Sequence, residues 1–218
     1  MGSLGVILGS GAAGIPVSEE IVRINRHGSD DEYVLPHLLD HMANLRKLVE
    51  AGCDRIIGIS SVGGLRPDML PGTYIVPDDF IALDVPPLTE ARGPDAHIAP
   101  GFDQEWRREV VAALRGATDI VDGGVYWQVV GPRLETPAEV RMLAEHAHVV
   151  GMTTASECVV AAELGVPYAC LCVVDNLANG VSSLGLTAAD VRRGQVEHRS
   201  ELEVVLASAL SALANRRA

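Results

Sequence analysis

Short apolar runs alternate along the chain with longer stretches in which apolar residues recur at helical spacing. The short runs predict seven β-strands, over 4–8, 20–25, 55–60, 73–82, 124–130, 147–151 and 167–175. The helical spacing predicts five helices, over 36–51, 103–115, 136–146, 153–164 and 187–214. Strands that alternate with helices are typical of an α/β fold, so we expect a mixed, mostly parallel sheet flanked by helices.

Residues that cap or end helices support several of these boundaries. Gly52 and Gly165 follow the first and fourth predicted helices, where glycine commonly ends a helix. Thr136-Pro137 opens the third helix with a capping residue and a proline at the tolerated first position. The only long irregular stretch is 83–102. A chain of 218 residues fits one sizeable core, so we expect a single domain over 1–218.

Composition and charge exclude some classes of partner. The formal net charge of −12 disfavours binding to a nucleic acid polymer, so a phosphate-bearing ligand needs a local basic site. No stretch reaches the roughly 20 apolar residues of a membrane span, and the N-terminus lacks a basic signal-peptide region. The four cysteines fit free thiols. We therefore expect a cytoplasmic protein with no membrane partner.

The stretch GVILGSGAAGIP, residues 5–16, fits the glycine pattern of a dinucleotide-binding turn. That fold needs a full crossover helix after the glycines, of about 10 residues or more. Pro16 and the predicted strand 20–25 leave too little room for such a helix, which disfavours a nicotinamide cofactor. A strand followed by a Gly-Ser-Gly turn still offers backbone N–H groups and a hydroxyl to a single anion.

Three further stretches carry a family resemblance. They are Arg26-His27-Gly28, the segment ISSVGGLRPDMLPGTYIVPDDFI at 59–81, and GGVYWQVVGPRLETPAEVRML at 123–143 continuing to VVGMTTASECVVAAELGVPYACLCVVDN at 149–176. Together they resemble the trimeric purine nucleoside phosphorylase and methylthioadenosine phosphorylase family, and within it the S-methyl-5'-thioinosine phosphorylases. The resemblance implies a single α/β nucleoside phosphorylase domain that forms a homotrimer and cleaves a purine nucleoside with inorganic phosphate. It implies neither a metal nor an organic cofactor.

The resemblance implies a phosphate site made of one arginine, several hydroxyls and a backbone amide. Arginine offers a planar fork of donors that always carries charge, and hydroxyls can contact the remaining phosphate oxygens. Bound phosphate would serve as nucleophile and as counter-charge for the developing sugar cation. His27 either contacts phosphate or packs beside it. The residues matched to the family's phosphate positions are Ser10, Arg26, Ser60, Ser61 through its backbone, and Thr153, with His27 beside them.

Glu135 and Asn176 match the family's base-contacting pair and are the candidate catalytic residues, with Asp175 beside them. A carboxylate only accepts hydrogen bonds, so Glu135 suits hypoxanthine or guanine, whose N1 carries a hydrogen. Adenine-specific relatives carry Ser and Asp at these two positions. Relatives usually have Thr or Val at the Asp175 position. If the correspondence slips by one residue, Asp175 becomes the base ligand and adenine becomes a candidate.

The sugar side of the site is implied by positions with mostly apolar side chains. Ala188 lies where enzymes that accept a 5'-hydroxyl carry His, which favours a 5'-methylthio or 5'-deoxy sugar because an apolar wall leaves a buried hydroxyl unpaired. His97 resembles the residue that reaches into a neighbouring subunit's 5' pocket, or else is a solvated loop histidine. The full set of substrate-binding positions is Val62, Gly63, Tyr126, Leu134, Met152, Ala188 and His97.

The N-terminal part departs from the family pattern. Relatives place about two more strands between the glycine turn and Arg26-His27-Gly28, where this chain has only about fifteen residues. Acidic residues 30–32 follow that motif and would oppose phosphate binding. Beside a 6-oxopurine nucleoside phosphorylase, the sequence therefore leaves open an adenine-nucleoside phosphorylase, a nucleoside hydrolase, a non-catalytic nucleoside-binding member and an oxidoreductase.

Overall fold

The structure, a computed structural model, describes residues 2–29, 32–83, 93–183 and 185–215. These residues include nine strands and five α-helices. The strands are β1 Ser3–Leu8, β2 Val22–Asn25, β3 Cys53–Gly64, β4 Tyr74–Val76, β5 Asp79–Ile81, β6 Val121–Asp122, β7 Val125–Gln128, β8 Val149–Gly151 and β9 Tyr168–Leu177. The helices are α1 His41–Glu50, α2 Gln104–Arg115, α3 Pro137–Ala144, α4 Thr154–Leu164 and α5 Ala188–Asn215.

All nine strands form one sheet with the long strand β3 at its centre. β3 pairs in parallel with β1 on one side and with β9 on the other, and its last two residues pair with β8 in antiparallel fashion. The main strand order is β5-β7-β8-β3-β9-β4-β6, and β1 carries β2 as a further parallel neighbour. Most pairs are parallel, so the predicted mixed, mostly parallel α/β fold is confirmed.

Helices cover both faces of the sheet, so the residues along β9 alternate between two apolar cores. Leu171 and Val173 pack in the core that includes α2 and α5. Cys170 and Cys172 are fully buried in the opposite core, which includes α1 and α4, and both are free thiols. A central strand buried on both faces is typical of a parallel sheet.

The structure differs from the predicted elements mainly at short strands and at one helix start. The predicted strand 73–82 is two strands, β4 and β5, separated by Pro77-Asp78, since proline cannot donate to a strand ladder. The two-residue strand β6 was not predicted. The predicted helix 36–51 begins only at His41, where the Asp40 side chain accepts from the Ala43 N–H, and 36–38 is a separate 3₁₀ turn. In the irregular stretch 83–102, residues 84–92 lie outside those described.

Helix α5 packs unusually close to β9. At Gly194, in the second turn of α5, a Cβ atom would lie well within van der Waals distance of the Asp175 carbonyl oxygen. Glycine at this position lets the helix backbone approach the strand backbone directly. The close approach also brings the side chain of the next residue, Gln195, to the carboxyl end of β1, where it contacts Ser10.

We expect Gly194→Ala to destabilise the protein by about 1–3 kcal/mol, although alanine is the better helix former, because the new methyl would overlap the β9 backbone. Thermal unfolding followed by circular dichroism measures this change. Gly101→Ala is the control, since a Cβ there would have no neighbour within 4 Å. Equal melting temperatures for Gly194→Ala and the wild type would contradict the close packing.

Candidate functional site

The residues predicted to bind phosphate converge where β1 and β2 end beside β3. Leu8, the last residue of β1, pairs with Asn25 on one side and with Ile59 on the other. The residues that follow these three, namely Gly9, Arg26 and Ser60, therefore lie at one level of the sheet. Ligands of open α/β sheets bind at the carboxyl ends of parallel strands. The register thus places Arg26 and Ser60 at one level with Gly9, and Ser10 follows one residue later.

Arg26 is buried and held by Glu157 of α4. Its Nε donates to one carboxylate oxygen at 2.5 Å and its Nη2 to the other at 2.9 Å, while Nη1 donates to the Ile59 carbonyl at 2.9 Å. The Tyr168 hydroxyl donates to Glu157 at 2.6 Å. The side chains of Arg26 and Glu157 are 1% and 0% exposed, so their orientation is fixed by the fold.

The Arg26–Glu157 pair stays charged despite its burial. Burial alone would raise the pKa of Glu157, but the charge and hydrogen bonds of Arg26 outweigh it and the pKa is lowered. The Arg26 pKa is likewise raised by Glu157 against the effect of burial. A guanidinium carries five N–H donors and these contacts use three, so two N–H groups of Arg26 take no part in them.

Hydroxyl groups surround the start of α4, next to Arg26. The Ser60 and Thr154 hydroxyls lie 2.9 Å apart. Thr153 is the N-terminal cap residue of α4, but its side chain makes no capping hydrogen bond. The N–H groups of Thr153 and Thr154 donate to the hydroxyl of Tyr126, which is fully buried beneath the helix start. Tyr126 thus supports the start of α4 from inside the core.

His27 packs against its own loop. Its Nδ1 lies 2.8 Å from the Val34 carbonyl oxygen, and its ring stacks on Tyr33 with the centroids 4.7 Å apart. Burial lowers the pKa of His27, which favours the neutral ring. The charge of the adjacent Arg26 also lowers the His27 pKa. In the described part of the chain, the hydrogen bond and the stacking contact of the His27 ring are to Val34 and Tyr33 and not to a predicted phosphate residue. Residues 30 and 31, two of the three acids expected to oppose phosphate, lie outside it.

A second polar network lies behind the glycine turn, on the face covered by α5. The Gly11 N–H donates to the Ser61 hydroxyl at 3.2 Å, and Gln195 Nε2 donates to Ser10 at 3.0 Å and to Ser61 at 3.3 Å. The Asp175 carboxyl lines the same small cavity as Ser61 and Gln195. Burial raises the pKa of Asp175 to about 6, and the side chains of Ser61 and Gln195 oppose that rise. The network joins β1, β3, β9 and α5 around one carboxyl group.

The predicted base ligands are Glu135 and Asn176. Glu135 lies in the loop before α3, and Asn176 lies near the end of β9. Glu135 is 7% exposed, and burial raises its pKa. Its neighbour Thr136 caps α3 in a reciprocal box with Glu139, so the cap of α3 does not need Glu135. Asn176 lies opposite Gly63 in the β3–β9 pair, where the register shifts, and its Nδ2 donates to the Leu177 carbonyl at 3.0 Å.

The remaining predicted substrate residues lie on several different elements. Met152 follows β8 and packs on the loop at Gly131, where a Cβ would meet its side chain. Val62 is buried in the core shared with Tyr126. Leu134 is half-buried, Ala188 is exposed at the first position of α5, and His97 is exposed after a 3₁₀ turn at 93–96. The contacts of the described residues do not join Ala188 or His97 to the phosphate residues.

Three residues of these networks were missed at the sequence level: Glu157, Tyr168 and Gln195. A signal existed for Glu157, since it is a lone acid in the otherwise small and apolar stretch ASECVVAA of α4. A weaker one existed for Gln195, which lies four residues before Arg199 on one face of α5. Arg199 donates to the carbonyls of Gly11 and Ala13, so both α5 side chains hold the glycine turn.

Comparison with known proteins identifies the family. Residues 16–212 match the model of the phosphorylase superfamily. The chain is 35% identical over 184 residues to a probable 6-oxopurine nucleoside phosphorylase of Archaeoglobus fulgidus, covering 84% of this chain and 75% of that protein. It is 36% identical to a probable S-methyl-5'-thioinosine phosphorylase of Methanothermobacter thermautotrophicus, covering 80% and 62%. The chain therefore belongs to the phosphorylase superfamily.

The fold agrees with solved structures of this class. Methylthioadenosine phosphorylase from Schistosoma mansoni in complex with adenine superposes with a TM-score of 0.81 at 19% identity, covering 100% of this chain and 93% of that one. In sequence, a further relative is a probable S-methyl-5'-thioinosine phosphorylase of Pseudomonas syringae pv. tomato. It is 32% identical, covering 88% of this chain and 81% of that protein. The predicted nucleoside phosphorylase fold and enzyme class are confirmed.

The described residues contain neither a membrane-spanning helix nor a cluster of metal-ligating side chains. None of the helices there is long and apolar enough to cross a membrane. No group of three or more His, Cys, Asp or Glu side chains is placed to hold a metal ion within 2–29, 32–83, 93–183 and 185–215.

We expect Glu157→Gln to lower the free energy of unfolding by about 3–5 kcal/mol, because Arg26 would remain buried without a counter-charge. For a chain of this length that is a fall in melting temperature of about 10 °C, measured by calorimetry. The control is Glu139→Gln, which breaks the exposed pair with Arg133 but keeps a residue that can complete the α3 capping box. Similar melting temperatures for the two variants would contradict this assignment.

We expect the stability difference between Asp175→Asn and the wild type to change with pH. Because the folded pKa of about 6 is raised above the ordinary 3.8, Asp175 favours folding below about pH 4 and loses this contribution as the pH rises through 6. The variant should therefore gain up to about 3 kcal/mol relative to the wild type between pH 4 and pH 7. Thermal unfolding across that range measures it, with exposed Asp119→Asn as control. A pH-independent difference would contradict the burial of a carboxyl group.

Proposed function

We propose that this protein catalyses the phosphorolysis of a 6-oxopurine nucleoside, with a 5'-methylthio sugar preferred over an unmodified ribose. The products are the free base and the 1-phosphate of the ribose derivative. One observation carries the proposal: in a member of the phosphorylase superfamily, Arg26 is held by Glu157 next to Ser60 and the start of α4. The proposal includes inorganic phosphate as co-substrate, no metal or organic cofactor, and a homotrimer that works in the cytoplasm.

An oxyanion next to Arg26 would meet several donors. Two N–H groups of Arg26 are not used by Glu157 and Ile59, and the hydroxyls of Ser10, Ser60 and Thr153 lie on the elements that meet there. The N-terminus of an 11-residue helix adds backbone N–H groups and a partial positive charge. This combination gives local attraction for phosphate in a chain whose net charge is −12.

The base selectivity follows from the acceptor and donor pattern of Glu135 and Asn176. The Glu135 carboxylate accepts from the N1–H of a 6-oxopurine, whereas adenine would present a lone pair to it. The Asn176 amide can donate to O6 or N7 of the base. A site built for such hydrogen bonds rejects the wrong base by about 10⁴ or more, because its buried polar groups are then unpaired. The relatives named for 6-oxopurine and methylthioinosine substrates support this choice.

In the reaction, the bond between the sugar C1' and the base N9 breaks, and a bond from C1' to a phosphate oxygen forms. The electron pair of the broken bond leaves with the purine, so a donor at N7 or O6 stabilises the departing base. Asn176 takes this role, and the phosphate held by Arg26 balances the positive charge that develops on the sugar. Neither step requires a redox change.

The preference for a 5'-methylthio group follows from Ala188. This residue begins α5, and its methyl offers no hydrogen-bond partner to a 5'-hydroxyl. An apolar 5' substituent loses nothing at such a wall.

The central experiment assays 5'-methylthioinosine, inosine, methylthioadenosine and adenosine with and without phosphate, with the free base quantified by chromatography. We expect hypoxanthine release that depends on phosphate, with methylthioinosine giving the highest kcat/KM. Release at the same rate without phosphate would mean a hydrolase. Adenine as the faster product would contradict the roles of Glu135 and Asn176.

Two variants separate the roles at the site. We expect Arg26→Lys, which keeps the charge but loses the planar fork, to raise the KM for phosphate about tenfold or more, because one or two charge-assisted hydrogen bonds are lost. We expect Asn176→Ala to lower kcat by about 10²-fold with little change in the KM for phosphate. Arg108→Ala, at an exposed position of α2, is the control. Wild-type kcat for Asn176→Ala on all four nucleosides would disprove the role of Asn176.

A further inference from the structure

Asp175 lies at an irregularity of β9. Val62 of β3 pairs with Val174, but the next residue, Gly63, pairs with Asn176, so Asp175 is the extra residue on β9. A residue inserted in this way re-aims the side chains around it and is a feature often found next to active sites. The irregularity therefore determines which side of the sheet the side chain of Asp175 faces and which side the side chain of Asn176 faces.

The Asp175 side chain is directed at the back of the glycine turn. It is 5% exposed and lies beside Ser61 and Gln195, and its Oδ2 has no hydrogen-bond partner. That oxygen lies against Gly11, where an added Cβ would be 3.7 Å from it. The space here is a cavity of about 10 Å³ lined in part by Gly11, Ser61, Asp175 and His198. The Asn176 amide, in contrast, lies by Gly63.

The side chains beside Asp175 contact two predicted phosphate residues. Ser61 accepts from the Gly11 N–H, so its own hydrogen is free to be donated to the Asp175 carboxylate. Gln195 donates to Ser10 and to Ser61. One carboxyl group on β9 thus lies beside a serine on β3 and a glutamine on α5, and the hydrogen bonds of these two reach the turn that carries Ser10.

We infer that Asp175 and Gln195 are positioning residues that set the shape of the phosphate-binding turn Gly9–Ala13, and that Asp175 does not contact the purine. The inference deepens the proposed function and rests on it for its kinetic test. Asp175 supplies an acceptor for the Ser61 hydroxyl hydrogen, which leaves the Ser61 oxygen free to accept from the Gly11 N–H. Gln195 holds the Ser10 hydroxyl at the carboxyl end of β1, where phosphate is proposed to bind.

The kinetic test compares Asp175→Ala, Asp175→Asn and Gln195→Ala by their separate KM values for phosphate and nucleoside. We expect Asp175→Ala and Gln195→Ala to raise the KM for phosphate about tenfold, since the first removes an acceptor beside Ser61 and the second removes the donor to Ser10 and Ser61. The KM for nucleoside and the preference for hypoxanthine should be unchanged. Asp175→Asn keeps an acceptor oxygen and should restore the phosphate KM to within about twofold of the wild type. Exposed Asp119→Asn and Glu197→Gln are the controls.

Two kinetic results would overturn the inference. A change in the preference between hypoxanthine and adenine nucleosides in Asp175→Asn would make Asp175 a base ligand. A lower melting temperature with an unchanged phosphate KM in both Asp175→Ala and Gln195→Ala would make the network merely structural. If Asp175→Ala does not fold, Gln195→Ala on half-exposed α5 still decides between these outcomes.

A second measurement keeps the inference independent of turnover. Hydrogen exchange of the peptide containing Gly9–Ala13, followed by mass spectrometry without substrate, should be faster in Asp175→Ala and Gln195→Ala than in the wild type, and unchanged in the controls. If the wild type releases base without phosphate, the proposed function fails, but faster exchange in these variants still supports the positioning role. Unchanged exchange in both variants would overturn it.

Discussion

The buried pair of Arg26 and Glu157 is the interaction on which the site depends. A guanidinium without water needs a counter-charge, and Glu157 supplies it from α4 while Tyr168 completes the hydrogen bonds of the carboxylate. The pair joins the end of β2 to the first turns of α4 across 131 residues of sequence. It fixes the plane of the guanidinium before any ligand arrives, and a donor that is already oriented costs no reordering on binding.

The same pair shows how far the sequence could lead. Arg26 was identified because it lies in a recognisable motif, but its partner could not be deduced, since burial of Glu157 depends on α4 packing against β3 and β9. The element types and their order were predictable, because apolar periodicity records which face of each element is buried. The split between β4 and β5 depends on a proline and a register that apolar spacing does not reveal.

The roles of Asp175 and Asn176 illustrate a second limit of the sequence. Two adjacent polar residues at the end of a buried strand are equivalent in any pattern of apolar and polar positions. Their difference arises from one extra residue in the β9 ladder, which is a property of the β3–β9 register and therefore of the folded sheet. Gln195 was likewise hidden in a helix of mixed polarity, and only the close approach at Gly194 brings it to Ser10.

The position of β2 is compatible with the shortened N-terminal segment that the sequence predicts. Among the described residues, β2 pairs only with β1, so its outer side is a margin of the sheet. Strands can be lost from a margin without breaking any hydrogen bond between the inner strands. What remains is a strand of four residues with the charged, exposed Arg23 on it, features that discourage pairing with another chain. Loss of strands beyond β2 would therefore leave the ends of β1 and β3, where the predicted phosphate residues lie, in the same positions.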